Sequence, residues 1–198
     1  NRALFQMFCR ETNTTIRRSL FFPAGTYKVT SSIKVPPFAQ LVGEGANSSI
    51  INMSGGTTDV MRTADSLQQT GVNIGSNAAL PPQSIEISGM SFTSVDNNNV
   101  NFTGPLLQSD LTSAGADLAA VRFDGTVALT PKQIEFNNCK FSGLTYGVNT
   151  DVNIQGVTVQ NSQFTTLYQA VVLGGGTPLN GGPEGVRIVQ NLFDNIAK

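Results

Sequence analysis

The hydrophobic positions of this chain fall on one ladder written four times. Ile85, Ile87, Phe92 and Val95 are followed by Ile134, Phe136, Phe141 and Leu144, then by Val157, Val159, Phe164 and Leu167, then by Val186, Ile188, Phe193 and Ile196. In every copy the offsets are 0, +2, +7 and +10, and successive copies begin 49, 23 and 29 residues apart. Side chains alternate along extended backbone, so the pair at 0 and +2 marks the inward face of one strand, and the break before +7 marks a corner leading to a second. A single unit of this kind cannot bury its own apolar face. The spacing therefore predicts a solenoid whose units stack.

A third strand follows in each unit. Val148 and Val171 lie 14 residues after the start of their copies, in the phrases YGV and QAV, and Val121 in AAV takes the same place in the copy opening at Ile85. There it is delayed by a polar insertion at roughly residues 96 to 117. Two less regular coils precede these: Leu20 to Phe22, Tyr27 to Val29 and Ile33 to Val35, then Leu41 to Val42, Ile50 to Ile51 and Val60 to Met61. The expectation is an all-β solenoid of about six coils forming a single domain over residues 1–198. Residues 1–19 supply a short capping helix and lead-in, with Leu4, Phe5 and Phe8 on one helical face, and residues 20–198 supply the coils. Gly89, Asn138, Asn161 and Gln190 share offset +4 at the first corner. Stacked amides there can bond along the stack, and a turn preference for Gly and Asn serves equally well.

Composition narrows the function classes. Twelve Lys and Arg against thirteen Asp and Glu leave a net charge of −1, without the basic excess expected of a nucleic-acid partner. No apolar run approaches the length of a membrane span, and the first residues lack the anatomy of a signal peptide. The chain does not begin with Met and its ladder still runs at the last residues, so it is expected to be a segment of a longer polypeptide. With no histidine and two cysteines, no metal site and no cofactor are expected. Cys139 occupies offset +5, matched by Met90 and Ser162, and reads as a small buried thiol.

The stretch LFFPAGTYKVTSSIKVPPFAQLVGEGANSSII, Leu20 to Ile51, resembles the opening coils of the pectate-lyase-superfamily right-handed parallel β-helix. That pattern is shared by bacteriophage tailspikes and secreted polysaccharide-degrading enzymes. The resemblance implies a β-helical tailspike or virion segment in the phage tail, a homotrimer associating with other tail proteins, that binds host surface polysaccharide and can depolymerise it. A secreted, extracellular lyase or glycoside hydrolase and a non-catalytic shaft are the alternatives. Of the NTD, DD, GHG and RIK motifs of polygalacturonase-type members, the chain carries only Asn149-Thr150-Asp151, read as a polar turn, and Arg187-Ile188-Val189. Within the motif, Pro23 ends a strand, Gly25 permits a positive φ, and Glu44 is expected to bond backbone amides at its corner.

Candidate chemistry lies between the inward pairs of the first strand. Glu86, Glu135, Thr158 and Arg187 point outward, one per coil, in a single surface column. On adjacent strands about 4.8 Å apart, Glu86 and Glu135 have the separation of the acid and nucleophile of a retaining glycosidase. Thr158 and Arg187 extend the column as carbohydrate-binding candidates. Facing like charges on a solvated sheet cost only about 0.2–1 kcal/mol, so a purely structural pair, neutralised by Arg122, Lys132 or Lys140, is the competing account. Isolated Asp59, Asp65, Asp96 and Asp124 read as turn residues. The insertions near residues 63–82, 96–117 and 174–184 suit ligand binding or subunit contact.

Overall fold

The computed structural model describes residues 19–54, 58–63, 81–94, 118–123, 130–150, 153–174 and 183–196. The expected capping helix, Val95, Cys9, Asp65, Asp96, Asp124, Asp151 and most of the three insertions lie outside them. Every regular element described is a strand: β1 Ser19–Phe22, β2 Gly25–Val29, β3 Ile33–Val35, β4 Gln40–Gly43, β5 Ser49–Met53, β6 Met61–Thr63, β7 Gln83–Ser88, β8 Ser91–Ser94, β9 Ala119–Phe123, β10 Lys132–Asn137, β11 Lys140–Thr150, β12 Gln155–Gln160, β13 Gln163–Val172, β14 Glu184–Val189 and β15 Leu192–Ile196. All the pairings are parallel. The first sheet runs β1-β4-β7-β10-β12-β14, and a second carries the remaining nine strands. This is a parallel β-solenoid, and the strands fall where the apolar ladder places them.

The ladder is in register across coils. Ile85 pairs with Ile134, Ile134 with Val157 and Val157 with Val186, while Phe92, Phe141, Phe164 and Phe193 align in the second sheet. Their rings stack at centroid distances of 5.5, 4.7 and 5.2 Å, with planes within 16° of parallel. Strand spacing dictates this, because identical offsets put identical side chains about 4.8 Å apart. The first three rings are fully buried and Phe193, on the last coil, is half exposed.

Two corners explain how one chain makes these faces. At the first, Gly89, Asn138, Asn161 and Gln190 all take left-handed backbone, φ 52° to 64°. The inter-coil amide bond from Asn161 Nδ2 reaches Asn137 Oδ1, at offset +3, at 3.0 Å. Offset +4 is thus a turn position. The side-chain ladder stands one residue on: Cys139 N donates to Ser162 Oγ at 3.0 Å, and Ser162 N to Asn191 Oδ1 at 2.9 Å. The second corner is a bend within a continuous strand. β11 pairs with β8 through Lys140–Ser142 and with β9 through Tyr146–Thr150, turning at Gly143 (φ 67°), below Thr166 (φ 54°) and Asn195 (φ 53°).

Two expectations need correction. Asn149 and Thr150 lie in β11, not in a polar turn, and both are buried; Thr150 Oγ1 accepts a bond from Gly174 N at 2.9 Å. Asp59 stands in a connection, but its carboxylate is only 5 % exposed and binds Arg122 Nε and Ala119 N at 2.9 and 2.8 Å. A buried carboxylate requires such partners.

Glu44 behaves as its position suggests. Its Oε2 accepts from Ala24 N at 2.8 Å, while Glu44 N donates to Ser49 Oγ and Ser49 Oγ donates to Phe22 O. The PAGTY turn is thereby tied to the GEG turn of the next coil. Gly43 is required there by closeness, since a Cβ would come within 2.1 Å of Gly89 O.

Cys139 is free and buried, and desolvation pushes its thiol up to about 12. In the native protein at pH 8 the Cys139 peptide is expected to resist iodoacetamide, and to label fully once urea unfolds the chain. Mass mapping of native protein with that peptide alkylated would contradict its burial.

Candidate functional site

The outer face of the first sheet carries two columns of side chains. Pairing places Ser19, Gln40, Glu86, Glu135, Thr158 and Arg187 in one, and Phe21, Val42, Ser88, Asn137, Gln160 and Val189 in the other. Both follow from strand alternation, the first column standing between the two inward rungs of each strand and the second one residue beyond them. Glu86 and Glu135 are direct partners on β7 and β10, and Thr158 faces Glu135 on β12. The structure brings these three together. Arg187 occupies the next rung on β14 and is exposed.

A shallow depression of about 320 Å³ opens over these rungs, lined by Ser84, Glu86, Gln133, Glu135, Gly156 and Thr158 with the backbone of Ile85 and Ile134 between them. Its floor comes from a feature the ladder did not disclose. Phe38, Ser84, Gln133, Gly156 and Gly185, each one residue before the first inward rung or its equivalent, all have left-handed backbone, φ 52° to 70°. Left-handed backbone inside a strand locally breaks its pleat and re-aims neighbouring side chains. The sequence signal was present in the two glycines and the polar Ser84 and Gln133 standing at one offset.

Glu135 is positioned rather than loose. Gln160 Nε2 donates to Glu135 Oε1 at 3.0 Å, so one carboxylate oxygen is held. Ser84 Oγ donates to Gln133 Oε1 at 2.9 Å across the same two coils. Arg122 does not neutralise the pair, because it lies on β9 in the second sheet with Nε bound to Asp59. Among the described residues no group of three or more His, Cys, Asp or Glu is gathered to hold a metal ion.

The chemistry this surface can perform is that of a carboxylate pair on a polar, neutral-amide-rich wall. A family described as rhamnogalacturonase A/epimerase, pectate lyase-like, matches residues 1–127. The chain belongs to that family. The match spans the PAGTY and GEG turns as well as β7, β8 and β9, and the parallel coils observed beyond it continue the same pectate lyase-like β-helix. Membership makes this a polysaccharide-related β-helical protein. No curated protein and no solved structure matches the chain. Among the described residues no helix is long and apolar enough to cross a membrane.

Proposed function

We propose that the chain is a segment of a bacteriophage tailspike or related virion appendage, trimeric in the intact particle, that binds host surface polysaccharide on the outer face of its first sheet. The observation that supports glycan binding on this face is the alignment of Glu86, Glu135 and Thr158 over one depression on a continuous sheet. Rigid scaffolds hold a glycan's many hydroxyls with little reorganisation, and this wall offers neutral donors and acceptors from Ser88, Asn137, Gln133 and Gln160. Thr158 supplies a hydroxyl at the depression, and Arg187 an exposed cation one rung beyond.

In this proposal the carboxylate pair cleaves a glycosidic bond with retention. Glu135, held by Gln160, attacks the anomeric carbon while Glu86 gives its proton to the departing glycosidic oxygen. Water, deprotonated by Glu86, then releases the sugar from Glu135. Neighbouring parallel strands supply the spacing of about 5 Å that such a pair requires.

The test is incubation of the protein with bacterial surface polysaccharides, comparing wild type with Glu135→Gln. Reducing-end release is expected to fall at least 100-fold in the variant, with glycan retention on an affinity column unchanged. Equal cleavage rates would remove the pair from catalysis, and absence of any glycan binding would leave an inert shaft. The family match also favours a second reading, a secreted polysaccharide-degrading enzyme. Sedimentation as a trimer supports the virion appendage, and a monomer supports the secreted enzyme.

A further inference from the structure

The left-handed position that precedes the first inward rung is filled differently from coil to coil. Phe38, Ser84, Gln133, Gly156 and Gly185 hold φ of 64°, 52°, 56°, 70° and 64° there. Three of the five carry side chains, so this backbone conformation does not by itself demand glycine in the column. Ser84 and Gln133 also bond to each other. Ser84 Oγ donates to Gln133 Oε1 at 2.9 Å, which draws the end of the Gln133 side chain toward β7 and away from β12. Gly156, the next residue of the column on β12, places nothing in that position.

Packing does not require this glycine either. A Cβ at Gly156 would stand 3.5 Å from Gln133 N and 3.7 Å from Gln133 Cα, both ordinary contacts. The contrast is with Gly43, where a Cβ would collide with backbone. The effect of the missing side chain is on the outer surface. Gly156 and Thr158 are what β12 contributes to the lining of the depression, directly beside Glu135 and Gln133 on β10. A longer side chain at 156 would therefore take up part of the hollow next to Thr158.

We propose that Gly156 is a specificity-determining residue, whose bare backbone admits one sugar ring beside Thr158, on the β12 side of the carboxylate pair. This rests on the glycan-binding face proposed above and adds which side of Glu135 the ligand occupies. A ring resting on Gly156 meets the Thr158 hydroxyl and lies one strand spacing, about 4.8 Å, from the Glu135 rung. On β7 and β10 the same position is filled by the bonded Ser84 and Gln133 side chains. The glycan thus extends from the carboxylates toward β12, and side-chain bulk at residue 156 sets the size of unit that enters.

Gly156→Ala, Gly156→Gln and wild type are compared for affinity toward the bacterial surface polysaccharide that wild type retains most strongly, with thermal unfolding of each. Alanine carries the backbone cost of the left-handed φ without the bulk. Glutamine carries both, and Gln133 shows that the column accepts it. Expected is about tenfold weaker affinity in Gly156→Gln and affinity within about twofold of wild type in Gly156→Ala, with a similar small fall in melting temperature for both. Equal affinity of Gly156→Gln and wild type overturns the role of Gly156 while the glycan-binding face stands. An equal loss in both variants also overturns it, by tracing the effect to the backbone instead of to room for a ring. Should Gly156→Gln fail to fold, Gly156→Ser carries the side chain of Ser84 into the column; it is expected to bind more weakly than Gly156→Ala, and equality of the two overturns the proposal. If wild type retains no polysaccharide, the function proposed above falls first and the role of Gly156 with it.

Discussion

Phe141→Ala is expected to destabilise the protein by about 3–5 kcal/mol, read as a lower urea midpoint with a similar slope. Phe141 is fully buried and is the second ring in the column of four, stacked on Phe92 at 5.5 Å and on Phe164 at 4.7 Å. It also meets Phe136 edge-on at 5.7 Å, so three ring contacts vanish with one side chain. Backbone hydrogen bonds fix the distance between coils, which leaves the cavity little freedom to collapse. Phe193→Ala is the control, because that ring is 48 % exposed at the end of the column and has one stacking partner, Phe164. Its loss should cost clearly less. Equal effects at the two positions would mean that burial in a common column is not what holds the coils together.

Asp59→Ala is expected to cost a comparable 3–5 kcal/mol by a different mechanism. The carboxylate holds Arg122 Nε at 2.9 Å with both side chains under 10 % exposed, and its other oxygen accepts from Ala119 N at 2.8 Å. Removing it leaves a guanidinium and a backbone amide in a desolvated place. Arg62 lies 3.5 Å from the same carboxylate but is 37 % exposed, and Arg62→Ala should change stability by less than about 1 kcal/mol. The pair Asp59→Leu with Arg122→Met should recover much of the loss, since a buried ion pair replaced as a unit is often neutral or stabilising. A double variant no more stable than Asp59→Ala would show that the two side chains do not act as a unit.

These two sites differ in how far they could be read from the chain. Phe141 stood out because its offset recurs in four copies, and a core position in a repeat is over-determined by its neighbours. Asp59 belongs to no repeat. Its partner Arg122 is 63 residues away in sequence, and nothing local distinguishes it from a turn residue. The same contrast holds at the corners. Left-handed backbone at offset +4 was accessible from Gly and Asn preferences, whereas the bond ladder at +5 depends on Ser162 and Asn191 turning inward toward the amides of the coil before. Asn149 and Thr150 were misplaced for a related reason. Polar residues ordinarily mark turns, but here β11 continues through them, and Thr150 Oγ1 accepts from Gly174 N on the neighbouring coil.

The candidate site divides in the same way. Strand alternation alone put Glu86, Glu135, Thr158 and Arg187 in one outward column, and the observed pairing keeps that order. The depression and the grip of Gln160 on Glu135 depend on how neighbouring coils pack.

By itself the amino-acid order determined the all-β solenoid, the strands of each coil and the side chains that face in or out. Those depend on alternation within a strand and on a recurring offset, both properties of a single stretch of chain. The tertiary structure decided which polar groups are buried, where strands bend instead of breaking, and which outward residues share a hollow. Each of these depends on what the next coil places about 4.8 Å away, and insertions of differing length separate the two partners in sequence.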